Sequence, residues 1–304
     1  MKIVILSRKS KTYFNDKFIE AANRYSNSNL EIKILDPFAC QLYLENNESS
    51  LFYKDQVITN IDLVIPRING SSIDYGISVI KHFEKTSAKI INGSEILAKC
   101  KNKFEILQKL QAIEGIKIPK SVMIKSPKEL KSAISFVGGL PVVLKMSYDN
   151  NKSLGFILIN DINCAESFLD MNFMLDNFTQ IGQSVIVQEF IDNSLGKSVS
   201  HLFLGGKIIL SYINKLTIVN NMGCPPINPE IPDITELSDH TKNLIIKIAE
   251  KFQLEFGIIS ILESSLGPFV FEVNPLPDVE KFEKIHKIDI VSKLINYIAC
   301  NIRD

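Results

Sequence analysis

The chain has little that would mark it as a charged, secreted or membrane protein. Its 34 Lys and Arg are matched by 34 Asp and Glu, so the formal net charge is zero. A strongly basic nucleic-acid binder carries a clear cationic excess, and that class is set aside, although a neutral total is compatible with a local basic groove. The balance is even along the chain: residues 1–94 hold 12 cations and 10 anions, and the rest hold 22 and 24. Neither part is a charged arm or tail. No apolar run approaches the ~18 residues of a membrane-spanning helix. The first apolar stretch, Ile3-Val4-Ile5-Leu6, falls short of the roughly 7–15 residues of a secretory core and reads as a buried strand. The five cysteines (40, 100, 164, 224 and 300) are odd in number and dispersed, with no CxxC pair. That argues against a disulfide frame or a zinc cluster and fits free thiols in a reducing cytoplasm. The four histidines (82, 201, 240 and 286) are equally scattered.

What is present suffices for a core. Of 304 residues, 45% are hydrophobic, and the length suggests two domains or three. Residues 2–6, 31–35, 61–65 and 88–91 read as strands, and 14–25 and 72–86 as helices. Strands alternating with helices predict a parallel α/β sheet. Leu51–Ile58, around Lys54-Asp55, reads as a small hairpin. The first βα turn, Ser7-Arg8-Lys9-Ser10-Lys11, contains no glycine, and the P-loop pattern is absent from the chain. Dinucleotide binding needs glycine there for the tight turn and the approach of the pyrophosphate, so an NAD-dependent oxidoreductase is disfavoured. Residues 94–114 read as one helix, with Ser94 as N-cap and Gly115 past its C-terminus. Strands follow at 120–124, 142–145, 155–160 and 185–191, with helices from Pro127 to about Phe136 and at about 162–176. A hairpin is expected at Gly205-Gly206, and 220–236 reads as a long loop. Helices near 236–252, 278–285 and 289–301 flank strands at 256–262 and 269–274.

Four short segments stand out: Lys101-Asn102-Lys103-Phe104; Gly138-Gly139-Leu140-Pro141-Val142-Val143-Leu144-Lys145; Val187-Gln188-Glu189-Phe190-Ile191; and Phe271-Glu272-Val273-Asn274-Pro275. Each alone is weak. A lysine at a strand end is usually just solvated, and Glu-x-Asn on a strand is commonly a surface face. Their order and spacing together are the signal. With Ile3 to Arg8, Ile34-Leu35-Asp36-Pro37, Val64-Ile65-Pro66-Arg67-Ile68 and Lys287-Ile288-Asp289-Ile290, they resemble the ATP-grasp ligases. The likeness is to the RimK-type branch, which attaches glutamate to a ribosomal protein's C-terminus, and it runs from residue 1 to about 297.

The resemblance implies an α/β ATP-grasp fold in three parts: a Rossmann-like pre-ATP-grasp domain (1–95), a central ATP-grasp subdomain with a linker helix (96–190) and a C-terminal subdomain (191–304). It implies ATP between the last two. Lys103 and Lys145 would contact the phosphates, and Glu189, Phe190 and Ile191 would form the adenine hinge. Glu272 and Asn274 would bind Mg²⁺. Arg8 and Arg67, at strand ends, would face a carboxylate substrate, the alternative being ordinary surface arginines. The partners implied are an amino-acid or peptide substrate and, as often in the family, a second copy of the chain.

Four departures set this sequence apart. The family's glycine-rich phosphate loop is here Ser147-Tyr148-Asp149-Asn150-Asn151-Lys152-Ser153-Leu154-Gly155, with one glycine; Asp149 opposes a phosphate and Lys152 substitutes in part. The family's Asp-x-Arg is Ser198-Val199-Ser200. Its metal-binding Asp is Ser260, and Glu263 nearby would face the other side of the strand. Its Asn-x-x-Arg segment aligns with 218–226, which lacks arginine. Losing one preorganised charge stabiliser costs about 10²–10³ in rate, and the set together roughly 10⁴–10⁶. Two readings follow: a carboxylate–amine ligase with a rearranged, slowed site, or a non-catalytic relative that binds a nucleotide or a partner.

Overall fold

The computed structural model describes residues 1–25, 30–46, 48–68, 70–147, 156–167, 169–170, 184–191, 197–215 and 237–301. The first unit contains β1 (Lys2–Leu6), α1 (Tyr13–Arg24), β2 (Glu31–Leu35), β3 (Cys40–Glu45), β4 (Glu48–Tyr53), β5 (Gln56–Val57), β6 (Leu63–Pro66), α2 (Ile73–Phe83) and β7 (Lys89–Ile90). Strands β2-β1-β6-β7 form a parallel sheet. Both of its faces are covered, which is why β1 is apolar from Ile3 to Leu6: Val4 and Leu6 enter one core, Ile3 and Ile5 another. The expected hairpin is present as β4–β5, with Lys54 and Asp55 both at positive φ (51° and 63°), as a tight two-residue turn requires. It is joined by β3, which the sequence pattern did not reveal, making a three-stranded antiparallel sheet.

The single helix expected over 94–114 is two, α3 (Ser94–Cys100) and α4 (Lys103–Gln111). The break has two causes. Asn102 caps α4, its Oδ1 accepting the Phe104 N–H at 2.9 Å. The Lys103 N–H leaves the helical pattern for the Ser147 carbonyl, 2.8 Å away across the chain. Ser94 is not the cap of α3: Gly93 occupies that position, and the Ser94 N–H and hydroxyl both donate to Glu84 (2.6 and 2.8 Å). Gly115, at φ +81°, lies in the turn beyond α4, four residues after its last one.

The central unit has β8 (Ser121–Ile124), α5 (Leu130–Val137), β9 (Val142–Met146), β10 (Ile157–Ile159), a helical stretch α6 (162–167) and β11 (Val185–Glu189). Its sheet runs β10-β9-β11-β8, antiparallel throughout. The rest of the helix expected to 176 is largely outside the described residues. The C-terminal unit has β12 (Lys197–Leu204), β13 (Lys207–Lys215), α7 (Asp239–Phe252), β14 (Phe256–Leu262), β15 (Phe269–Asn274), α8 (Val279–His286) and α9 (Ile290–Asn301). Its antiparallel order is β13-β12-β14-β15, with the β12–β13 turn at Gly205-Gly206 as expected. Side chains of the first and last units interleave in two shared cores, whereas the central sheet closes a third core by itself. No helix among the described residues is long and apolar enough to cross a membrane.

Candidate functional site

Strand register builds one wall of a cleft. Tyr212, Ser200, Ser260 and Glu272 are consecutive cross-strand partners on β13, β12, β14 and β15, so their side chains share a face. The Ser200 and Ser260 hydroxyls are 2.9 Å apart, and Ser260 donates to Glu272 Oε2 at 3.2 Å. Both serines are buried, at 3% and 1% exposure. The two positions where the resemblance implies an arginine and a metal aspartate are therefore in direct contact here, and both carry neutral hydroxyls. A bulge in the β14–β15 register leaves Phe271 unpaired, which turns it into the cleft beside Glu272. Gly257 permits the strands to meet, since a Cβ there would stand 2.5 Å from the Asn274 carbonyl.

The facing wall comes from the central sheet. Lys145, on β9, donates to Gln188 Oε1 at 2.7 Å, and Gln188 donates on to Ser121 Oγ at 2.8 Å. The ammonium lies 4.8 Å from the centre of the Phe271 ring. Burial pushes Lys145 down to about 8, nearby Glu272 opposes that fall, and Lys103 adds to it. Lys103, the first residue of α4, lines the same space. The cleft holds about 510 Å³, and Lys103, Lys145, Glu272, Asn274, Ser200 and Ser260 all line it.

The other residues singled out from the sequence lie apart from the described cleft lining. Glu189 is turned to the neighbouring strand, where it accepts the Lys120 N–H at 3.1 Å and pairs with its ammonium at 3.6 Å. Phe190 and Ile191 continue that strand end outside the cleft. Arg8 is committed to Asp36 at 2.7 Å and to the Phe38 ring at 4.0 Å. Arg67 stacks over Phe14 at 4.6 Å and donates from Nη2 to the Pro277 carbonyl at 2.8 Å; burial lowers it to about 10. Its carboxylate-facing role is not visible in these contacts. Glu263 is exposed just past the end of β14, so it misses the cleft by position rather than by strand parity. Ser198 is buried on β12 and is not among the cleft-lining residues. Residues 148–155 of the phosphate loop and the segment 218–226 lie outside the described residues.

Several cleft residues escaped the sequence reading. Gln188 is a polar residue on an otherwise apolar strand, which is a usable signal. Asp278 and Lys281 line the cleft at the start of α8, where Asp278 is the N-cap, a signal present in Pro277-Asp278-Val279. Asn92, behind the cleft and not among its lining residues, gives no such sign beyond Asn92-Gly93. It sits at φ +60°, 4% exposed, at the end of β7. Its amide donates to the Phe256 and Pro275 carbonyls, and its Oδ1 accepts the Glu255 and Phe256 N–H groups at 3.0 and 3.2 Å. Asn92 and Arg67, from adjoining parallel strands, thus hold alternate carbonyls, those of Pro275 and Pro277, in the segment between Asn274 and Asp278.

The oxygens available to a magnesium ion are few. Such an ion demands near-octahedral oxygen geometry and takes one or two carboxylates besides phosphate and water. Glu272 is the one carboxylate of the row, and it already accepts the Ser260 hydroxyl. Asn274 Oδ1 accepts the Leu276 N–H at 2.8 Å. Among the described residues no group of three or more His, Cys, Asp or Glu is placed to hold a metal. The set does not fit a dedicated magnesium site.

Comparison with known proteins bears on the whole chain. Residues 1–97 match the family model of the RimK pre-ATP-grasp domain, and residues 100–298 that of the RimK-like ATP-grasp domain. A probable alpha-L-glutamate ligase of Maridesulfovibrio salexigens is 30% identical over 310 residues, covering 99% of this chain and 96% of its own. The ribosomal protein bS6–L-glutamate ligase of Salmonella paratyphi B is 29% identical over 298 residues, covering 98% and 95%. The ATP-grasp ligase PsnB, solved with a minimal precursor, Mg and ADP, superposes with a TM-score of 0.69 at 16% identity over 100% of this chain and 98% of that one, which establishes the shared fold. By sequence and by fold, then, this chain belongs to the RimK-like ATP-grasp ligase family, an α/β ATP-grasp fold behind a Rossmann-like pre-ATP-grasp domain.

Proposed function

We propose that the cleft binds ATP through Lys103 and Lys145, and that the protein is a carboxylate–amine ligase of much reduced rate acting on an amino-acid or peptide carboxylate in the cytoplasm. The division 1–95, 96–190 and 191–304 belongs to this reading. The observation that carries it is convergence: Lys103, Lys145 and Glu272, from segments far apart in sequence, line one cleft. In the reaction, a substrate carboxylate oxygen attacks the γ-phosphorus and ADP leaves with the bridging electron pair. An amine then attacks the acyl carbon, phosphate departs, and the amine's surplus proton passes to solvent. Lys103 and Lys145 supply positive charge where phosphate oxygens gather it. At position 200 a hydroxyl takes the place of a guanidinium, so the acyl-phosphate is less well neutralised.

The test is ADP formation with ATP, glutamate and a peptide ending in glutamate. Turnover is expected above the no-amine background but about 10⁴–10⁶ below a typical ~10 s⁻¹. The neutral Ser200–Ser260 pair favours the second reading, a non-catalytic nucleotide-binding relative. That reading takes over if ATP binds and no carboxylate–amine pair stimulates ADP release.

Lys145 gives a further expected result. Its protonated form attracts the phosphates, and its own titration lies near 8. Nucleotide affinity should be level below that pH and fall as pH rises through it, with proton uptake on binding. Lys145→Arg, which stays charged throughout, should flatten the profile between pH 7 and 9.5. A wild-type profile without this decline would rule out the lowered titration, and Lys145→Met binding nucleotide as tightly as wild type would remove Lys145 from phosphate binding.

A further inference from the structure

We infer that the cleft holds the phosphates of a nucleoside diphosphate or triphosphate on lysine side chains alone, without a divalent cation. The inference rests on the reading of the cleft as a nucleotide site and specifies the form of its ligand.

Each acidic or amide side chain that a metal would need already accepts a hydrogen bond from the protein, which engages one oxygen of Glu272, one of Asp278 and the amide oxygen of Asn274. Ser260 donates to Glu272, the Leu276 N–H donates to Asn274, and the Lys281 N–H donates to the Asp278 carboxylate at 3.1 Å. An ion would have to share these side chains with their present donors and give up part of its water, which magnesium does reluctantly. The cationic side is better supplied. Lys103, Lys145 and Lys281 line the cleft against two carboxylates, Glu272 and Asp278; a fourth lysine, Lys101, is paired with Asp74 at 2.7 Å. Ammonium groups are point-charge donors suited to phosphate oxygens. The serine pair completes the picture. Relative to the pattern the sequence resembles, an arginine and an aspartate are missing together, so net charge is kept while the second metal carboxylate is lost. The cleft thereby keeps its attraction for polyanions and loses the means to hold their usual counter-ion.

The experiment is calorimetric titration of the full chain with ADP, once in EDTA and once in excess MgCl₂, with sodium pyrophosphate and adenosine as further titrants in EDTA. The ADP dissociation constants should differ by less than about fivefold, or ~1 kcal/mol. Pyrophosphate should bind in EDTA and adenosine more weakly than ADP. Lys145→Met, with its fold checked by thermal melting, should weaken ADP in EDTA by roughly tenfold or more. A larger magnesium gain, or heat seen only with magnesium, overturns the inference and leaves the nucleotide site standing. Adenosine binding as tightly as ADP also overturns it, because the phosphates would then contribute nothing. Absence of ADP binding in both buffers removes the inference and the nucleotide reading together. Should Lys145→Met not fold, displacement of ADP by pyrophosphate from the wild type in EDTA decides: displacement supports the inference, and its absence counts against it.

Discussion

Ser200→Arg and Ser260→Asp, introduced together with magnesium present, are expected to raise ADP formation by at least about 10²-fold. The register explains why the pair must be changed together. The two positions face each other across β12 and β14, and Glu272 is next in the same row. Aspartate alone at 260 would place two carboxylates where a hydroxyl now donates to one, in a site 1% exposed. One carboxyl would be forced to stay protonated or the strands to part. Arginine alone at 200 would be buried with only Glu272 to neutralise it. Ser260→Asp is expected to lose ~3–5 kcal/mol of stability, as an uncompensated buried charge does, and Ser200→Arg less, because Glu272 partly neutralises it. The double variant restores an ion pair and should recover most of that loss. Urea midpoints and ADP release for the four proteins form a double-mutant cycle, and strong coupling is the expected result. A double variant that folds and turns over no faster than wild type would locate the deficit elsewhere, in the phosphate-loop sequence 147–155.

Asn92→Ala is the substitution expected to unsettle the fold most. One buried side chain makes four hydrogen bonds to backbone groups more than 160 residues away. Removing it strands two N–H groups and two carbonyls, each unsatisfied group costing ~1–3 kcal/mol with partial relief from relaxation. Alanine adds strain at φ +60°, a region asparagine tolerates and alanine avoids. A loss of roughly 3–5 kcal/mol is expected, read as a lower urea midpoint. Asn92→Gly separates the two contributions: it keeps the backbone and loses only the hydrogen bonds, so it should be the milder variant. Equal midpoints for Asn92→Ala and wild type would show that the bridge contributes nothing.

The sequence made the layered α/β order legible because period and punctuation agree: apolar strands end at Asp36-Pro37, Pro66 and Asn92-Gly93. The helix break before Lys103 was illegible because a tertiary bond, the Lys103 N–H to Ser147, decides it. Ser94 looked like a cap for the same kind of reason, since its hydroxyl suits the role until Glu84 claims it. At the site, the lysines and Glu272 were found by segment order. Their contacts were not, because register across four strands cannot be read from one of them. For Arg8 and Arg67 the sequence could not show their partners, Asp36 and the Pro277 carbonyl, which come from elements distant in the chain.

The arrangement of the three cores bears on how such proteins can be recombined. The first and last units of the chain share two of them, whereas the central sheet closes the third alone. A chimera that takes residues 1–97 from a relative at 30% identity would therefore pair half of each shared core with a stranger, and would replace Asn92 and Arg67, whose bonds tie the first unit to the carbonyls of Pro275 and Pro277. The module that exchanges cleanly is the middle one, cut twice, so that the ends of the chain travel together.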